Sequence, residues 1–318
     1  MSSATAVGST GTPLPTVDAR ADRRTSRSLW KRILAQRPAG IGLTILAFLF
    51  AVAIFADVLA AYDPEASVIG QEPAQFARAR AAPCIHLLGC AADRPEHLMG
   101  LDGNVIDEFA RVVFGARVSL AIGFVTVGGA ILIGLVIGAI AGYTGGWVDN
   151  VLMRIMDMVL AFPSLLLAIA IVSILGGGLV QAMTAVAVVS IPIYARVMRA
   201  SVLSIREQDY VVAARALGDS PASILLRRVL PNSLTPMIVQ GTLGIGTAVL
   251  EVAALSFLGL GSQPPTPEWG QMIGREYNNL QNAAHLIFFP GIGLTLTVLG
   301  FNLLGDGLRD AFDPRLTR

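Results

Sequence analysis

Charge is what this sequence is shortest of. Charged residues make up 14% of its 318 residues, against 54% hydrophobic, whereas an ordinary soluble domain carries about 25% charged. So thin a polar complement cannot coat a water-soluble globule of this size, and it points to a chain that crosses a membrane several times. The net charge is only +1 and no helix face is strongly basic, so there is no electrostatic footprint for nucleic acid. Lysine is nearly missing, with Lys31 the sole example. A P-loop must end in Gly-Lys-Ser/Thr, and Lys31 is followed by Arg32, which excludes that nucleotide site. If ATP drives the chain, another subunit hydrolyses it. Histidine and cysteine are also sparse: His86, His97, His285, Cys84 and Cys90 lack the spacing of a four-ligand zinc site. Cys84 and Cys90 pair only if their loop faces an oxidising compartment, and are otherwise two free thiols.

What is plentiful is long apolar runs. A bilayer core takes about 20 apolar residues per helix, and six runs suffice: roughly Gly40–Ala61, Val118–Ala141, Val151–Leu175, Val180–Val197, Pro236–Leu260 and His285–Leu304. The fold expected is therefore all-α and polytopic, with six transmembrane helices. Pro163 and Pro192 fall inside spans, where neighbouring helices can satisfy the freed carbonyls. Met1 to Ser28 is rich in Ser, Thr, Ala and Pro without hydrophobic periodicity, which predicts a disordered tail. It does not read as a cleaved signal peptide, because the first apolar run starts late, is long enough to span and has no small-residue cleavage site after it. The chain divides into a tail (1–39), a first span (40–61), a polar loop (62–115), a core with five spans (116–305) and a second tail (306–318).

Arginine placement sets the orientation. Arg20, Arg23, Arg24, Arg27, Lys31, Arg32 and Arg37 precede the first span, Arg199, Arg206, Arg215, Arg227 and Arg228 follow the fourth, and Arg309, Arg315 and Arg318 follow the sixth. Both termini are then expected in the cytoplasm, with the 62–115 loop and its cysteines outside. Inside lies 204–232. Arg206 to Leu217 reads as a short helix, Gly218 as its C′ residue, Ser220 as an N-cap with Pro221 at N1, and Ile224, Leu225 and Arg228 as a second amphipathic helix stopped at Pro231. Ala213, Ala214 and Leu217 give this knob a small apolar face for a partner's groove; an ordinary helical loop lying on the membrane is the alternative.

Charges within spans are costly and need partners. Arg154 and Asp157 are three apart on one helix face, which predicts a mutual pair. Glu251 stands alone in the fifth span, among Gly244, Gly246, Ala248, Ala253 and Ala254, small residues that permit close helix contact. It is expected to face a translocation path or inter-subunit gate, or to make a structural hydrogen bond. Asp57 is expected to reach headgroup water, and Asp306 to lie past the sixth span.

Ala213-Ala214-Arg215-Ala216-Leu217-Gly218, then Leu230-Pro231, resembles the EAA-loop signature of ABC-importer permeases. Gly142-Tyr143 with Gly145-Gly146-Trp147-Val148-Asp149, Met153-Arg154 and Asp157 through Ala161-Phe162-Pro163-Ser164 are similar to the dipeptide/oligopeptide/nickel permease family. So are Leu255 to Gly261 with Gln263-Pro264-Pro265-Thr266-Pro267, and Asn302 to Asp310 with Asp313-Pro314-Arg315. The first span and its loop resemble the extra N-terminal region of the family's C-type subunit. Two positions depart from the pattern. Val212 stands where the signature has glutamate, and the motif His-Pro-Leu-Gly-Thr-Asp then Gly-Arg-Asp stands as His97 to Asp102 then Val105-Ile106-Asp107. The piece from Cys84 to Cys90 looks like an insertion.

The resemblance implies a type I importer permease fold in a multi-pass subunit of the bacterial inner membrane. That subunit would work with a homologous second permease, two ABC ATPase subunits and an extracytoplasmic solute-binding protein, in contact with membrane lipid. It implies import of short peptides by alternating access, with nickel or another small solute as the alternative substrate. A secondary transporter is the alternative class. No cofactor and no enzymatic activity is expected in this chain, since ATP and magnesium would sit on the ATPases. The coupling segment 204–232 would dock on them through Ala213, Ala214, Leu217, Gly218, Ile224 and Leu225.

Overall fold

A computed structural model describes residues 36–312. The expectations for the leading tail through Lys31 and Arg32, and for Arg315 and Arg318, fall outside the described residues. The helices are α1 (Arg37–Ile54), α2 (Ala56–Leu59), α3 (Glu108–Thr144), α4 (Gly146–Leu160), α5 (Ser164–Leu175), α6 (Leu179–Arg206), α7 (Asp209–Ala216), α8 (Pro221–Ile224), α9 (Leu230–Phe257), α10 (Trp269–Glu276) and α11 (His285–Phe312). Among the described residues strand pairing is confined to isolated bridges. Five helical stretches are long and apolar enough to cross a membrane, and a sixth crossing forms if α4 and α5 count as one.

The helices begin and end where backbone chemistry dictates. The Asp107 carboxylate caps α3 by accepting from the Ala110 N–H at 2.7 Å, one of the donors a helix start leaves unpaired. Gly145, at φ +66°, turns the chain out of α3 and into α4. The third span, expected as one helix from Val151 to Leu175, is corrected to two: α4 and α5 meet at 91° across Ala161-Phe162-Pro163. Pro163 lacks the N–H that would continue the ladder and disfavours helical backbone at Phe162. A second correction concerns Pro231, which was expected to stop a helix. The helical path runs on from Pro221 to Phe257, through a widened π turn at Leu225–Val229. In a regular helix the Pro231 ring would collide with the carbonyl of Arg227, and the wider turn moves that carbonyl aside.

The centre of the bundle is the seam between α3 and α6. Gly134, Gly138 and Gly142 repeat every fourth residue along α3, so they share one face. A Cβ on Gly134 would come within 2.7 Å of the Tyr194 Cβ, and one on Gly142 within 2.9 Å of the Arg199 carbonyl oxygen. The backbones approach that closely because glycine lets them, in the manner of small-residue seams in membranes. Buried Val186, Val189, Met198 and Val202 fill the α6 side.

At the α3 N-terminus, residues 60–107 form a lobe whose backbone is tied by Val68 N to Val105 O, Arg80 N to Asp102 O and Leu101 N to Ala81 O, each at 3.0 Å. Val68, Leu101 and Val105 give it a small core of its own. At the opposite end of α3, α7 and α8 form a hairpin. The Arg206 guanidinium, at the foot of that hairpin, donates to the Gly142 carbonyl at 2.7 Å, which ties α6 to the end of α3.

Candidate functional site

The hairpin's turn is built as its residues require. Gly218 has φ +85°, the left-handed conformation that glycine adopts without penalty. Its N–H donates to Arg215 O, and Asp219 N–H donates to Ala214 O, closing the end of α7. Ser220 Oγ accepts from the Ser223 N–H to start α8, and Arg228 holds Asp219 at 2.7 Å across the turn. The six residues expected on one docking face divide. Ala214 and Ile224 are buried and Leu225 half-buried, so they join the two arms. Ala213, Leu217 and Gly218 are exposed, Leu217 at 88%. Val212, in the signature's glutamate position, and Leu226 are also exposed. An apolar surface that points away from the bundle at a sharp, glycine-dependent turn is suited to seat in a groove of another protein.

Glu251 lies in the C-terminal quarter of α9 and is half-buried. Ser164 Oγ donates to its Oε1 at 2.9 Å. Ser164 opens α5 directly after the Pro163 break, so this bond joins the bent helix to α9. The expected Arg154–Asp157 pair does not form: Asp157 instead meets Arg196 of α6 at 2.5 Å. Asp149, near the start of α4, holds Arg199 of α6. These two ion pairs fix α4 against α6, while α5 packs on α6 through buried Ala168 and Val172 and reaches α9 through Ser164. Asp57 pairs with Arg117 at 2.7 Å, and Arg117 also caps the end of α1 by donating to the Ala53 and Ile54 carbonyls.

In the lobe, Cys84 and Cys90 are joined by a disulfide, with their Cα atoms 5.4 Å apart. It closes a short turn, His86–Leu88. His97 is buried with one ring nitrogen 2.8 Å from an Asp107 carboxylate oxygen and the other 3.1 Å from Glu72. A neutral imidazole would turn a lone pair on one of those carboxylates, so the pair of contacts favours the imidazolium. Burial works against that charge, but the hydrogen bonds to Asp107 and Glu72 outweigh it and hold the pKa above the ordinary histidine value. Burial, with the Glu72 carboxylate beside it, pushes the neighbouring Tyr62 up to about 12.

A buried polar network went unanticipated. Arg111 is 1% exposed and donates to the carbonyls of Pro64 and Pro265, both at 3.2 Å, and to Gln271 Oε1 at 3.3 Å. It thereby knots α3, the lobe and the 261–284 segment. Arg80 reaches across to Glu276 at 2.7 Å. Glu268 caps α10 by accepting from the Gly270 and Gln271 N–H groups; burial raises its pKa against those bonds. The available signal was an arginine in the first turn of a long, largely apolar helix, where a charge must find partners.

The family described as the binding-protein-dependent transport system inner membrane component matches residues 134–318. The N-terminal transmembrane domain of oligopeptide transport permease C matches residues 26–83. The chain is similar to a dipeptide transport system permease protein of Alkalihalophilus pseudofirmus, 44% identical over 309 residues covering 96% of each chain. It is also similar to a glutathione transport system permease protein of Pectobacterium atrosepticum, 40% identical over 304 residues covering 95% of each. Among solved structures, the methionine ABC transporter MetNI in inward-facing form shares the fold, with TM-score 0.52 and 22% identity over 64% of this chain and 97% of that one.

Proposed function

Because the chain belongs to the binding-protein-dependent transport system inner membrane component family, as a C-type permease subunit of peptide ABC transporters, we propose that it forms half of the translocation pathway of an importer for short peptides. The family's permeases are non-enzymatic membrane components that work within an ABC complex, and ATP is hydrolysed by partner subunits. In the reading advanced here the membrane is the bacterial inner membrane and both termini are cytoplasmic. The partners are a second, homologous permease, two ATPases that carry ATP and magnesium, and an extracytoplasmic solute-binding protein.

The observation that carries the peptide substrate is the 44% identity, along 96% of both chains, to a permease named for dipeptide transport. In this mechanism the exposed face at Ala213, Leu217 and Gly218 seats in a groove of an ATPase, while Ala214, Ile224 and Leu225 keep the hairpin rigid enough to transmit a push. Closure of the ATPases moves the hairpin, and the spans change between inward and outward access. Glu251 and Ser164 lie on the translocation path or its gate, where a carboxylate can hold a peptide's amino group or latch the bent helix.

Deletion followed by growth on single dipeptides, longer peptides, glutathione or limiting nickel tests the substrate. Growth that fails on dipeptides supports the reading, and a defect confined to nickel removes it. Glutathione is a second reading, favoured by the 40% identity to the glutathione permease; a defect confined to it would select that substrate.

A further inference from the structure

The lobe is acidic overall: residues 62–107 hold Asp63, Glu65, Glu72, Asp93, Glu96, Asp102 and Asp107 against three arginines, Arg78, Arg80 and Arg94. The charges are nonetheless segregated. All three arginines line one cavity of about 410 Å³, and none of those carboxylates does. Arg80 is engaged by Glu276. Arg78 and Arg94 are exposed, and the Arg94 guanidinium stands 5.5 Å over the Phe76 ring, a stacking that holds it in place. The wall of the cleft is the Cys84–Cys90 disulfide. The turn that this disulfide closes displays Leu87 and Leu88, 96% and 81% exposed. That turn is itself braced, since the Glu96 carboxylate accepts from the His86 N–H at 3.1 Å and the His86 ring donates to the Arg94 carbonyl at 2.8 Å. A cationic cleft beside a rigid, exposed apolar tip offers arginine, a residue type that anchors interfaces, together with apolar area that a partner would bury.

Height above the membrane decides what such a surface can meet. His97, in the cleft wall, is bonded to Asp107 at the start of α3. Arg117, paired with Asp57 at the end of the first span, lies ten residues further along α3, roughly 15 Å at 1.5 Å per residue. The headgroup layer adds only about 5–8 Å to each side of the hydrocarbon core. With the Arg117–Asp57 pair taken as the edge of the hydrocarbon and α3 along the membrane normal, the cleft stands clear of the headgroups, within reach of a soluble protein.

We propose that the Arg78–Arg94 cleft and the Leu87–Leu88 tip are a docking surface for the extracytoplasmic solute-binding protein, which presents an acidic side chain to the arginines and an apolar hollow to the leucines. This rests on the importer reading above. The test uses the whole transporter in lipid nanodiscs, titrated with its solute-binding protein while ATP hydrolysis is followed. R78E/R94E raises the half-maximal concentration at least about tenfold, the scale of a lost charge-paired contact, and leaves basal hydrolysis and the disulfide intact. R78K/R94K retains most of the affinity, L87S/L88S loses several-fold, and added salt weakens wild-type docking. An unchanged half-maximal concentration in R78E/R94E overturns the proposal. So does an effect seen only when the nanodiscs contain anionic lipid, which would give the cleft to headgroup phosphates. Wild-type transporter that no solute-binding protein stimulates would overturn the importer reading instead.

Discussion

Gly218 and Glu251 would serve the proposed importer in different ways. A Cβ on Gly218 would meet no other atom within 4 Å, but the residue sits at φ +85°, so a side chain costs only backbone strain of about 1 kcal/mol. That is too little to unfold the bundle and enough to shift the turn that presents Leu217. Gly218→Asp is expected to insert normally, hydrolyse ATP with its partners and fail to couple hydrolysis to uptake; normal solute-dependent uptake would remove the hairpin from the docking role. Glu251 differs because its side chain matters more than its backbone. A carboxylate turned to lipid costs about 3 kcal/mol on insertion scales, and here it takes a hydrogen bond from Ser164. Glu251→Gln keeps an acceptor for that bond and loses the charge, so assembly should persist and uptake should slow. Glu251→Leu should impair assembly or uptake. Wild-type transport rates in both variants would refute a role in the path or gate.

The helices were legible from sequence to the extent that their causes are local. Five of the six apolar runs, the Gly218 turn and the Ser220-Pro221 start all rest on neighbours within a few residues, and they are helical or turn where those neighbours dictate. The 91° bend at Pro163 was hidden because hydropathy reads Val151 to Leu175 as one run, while the new direction of α5 is set by its packing on α6 and by the Ser164 bond to Glu251. The continuation past Pro231 depended on a π turn that no propensity announces. The Arg111 network was out of reach for a plainer reason: its partners at Pro265 and Gln271 are 154 and 160 residues away. The α3–α6 seam was not read from the sequence, although the four-residue repeat of Gly134, Gly138 and Gly142 marks the bare face of α3. A Cβ on Gly138 would collide with the Ala195 carbonyl oxygen, and backbone cannot step aside as a side chain can. Gly138→Val should therefore destabilise the subunit by about 1–3 kcal/mol or more, read as a lower melting temperature of the purified transporter. An unchanged melting temperature would mean that the seam is looser than the packing indicates.

For the molecule as a whole, the lobe's attachment carries a pH signature. The folded protein holds His97 above its ordinary value of 6.5, so the group binds its proton more tightly folded than unfolded. Its contribution is fully present below about 6.5, and is lost as pH rises through the raised folded value. Unfolding temperature measured from neutral to alkaline pH should fall across that window, and His97→Gln should flatten the fall; an equal slope in both proteins would dissociate the Asp107–His97–Glu72 contact from stability. That contact sits at one end of α3, and the hairpin tie from Arg206 to Gly142 sits at the other. α3 has 37 residues, about 55 Å at 1.5 Å per residue, nearly twice the hydrocarbon thickness of a bilayer. It is a mast fastened at its foot to the hairpin and at its head to the lobe. By simple leverage, pivoting such a rod by about 5° about its foot swings the head by about 5 Å, so a displacement of the hairpin too small to break any helix becomes a full side-chain's width of travel at the far surface.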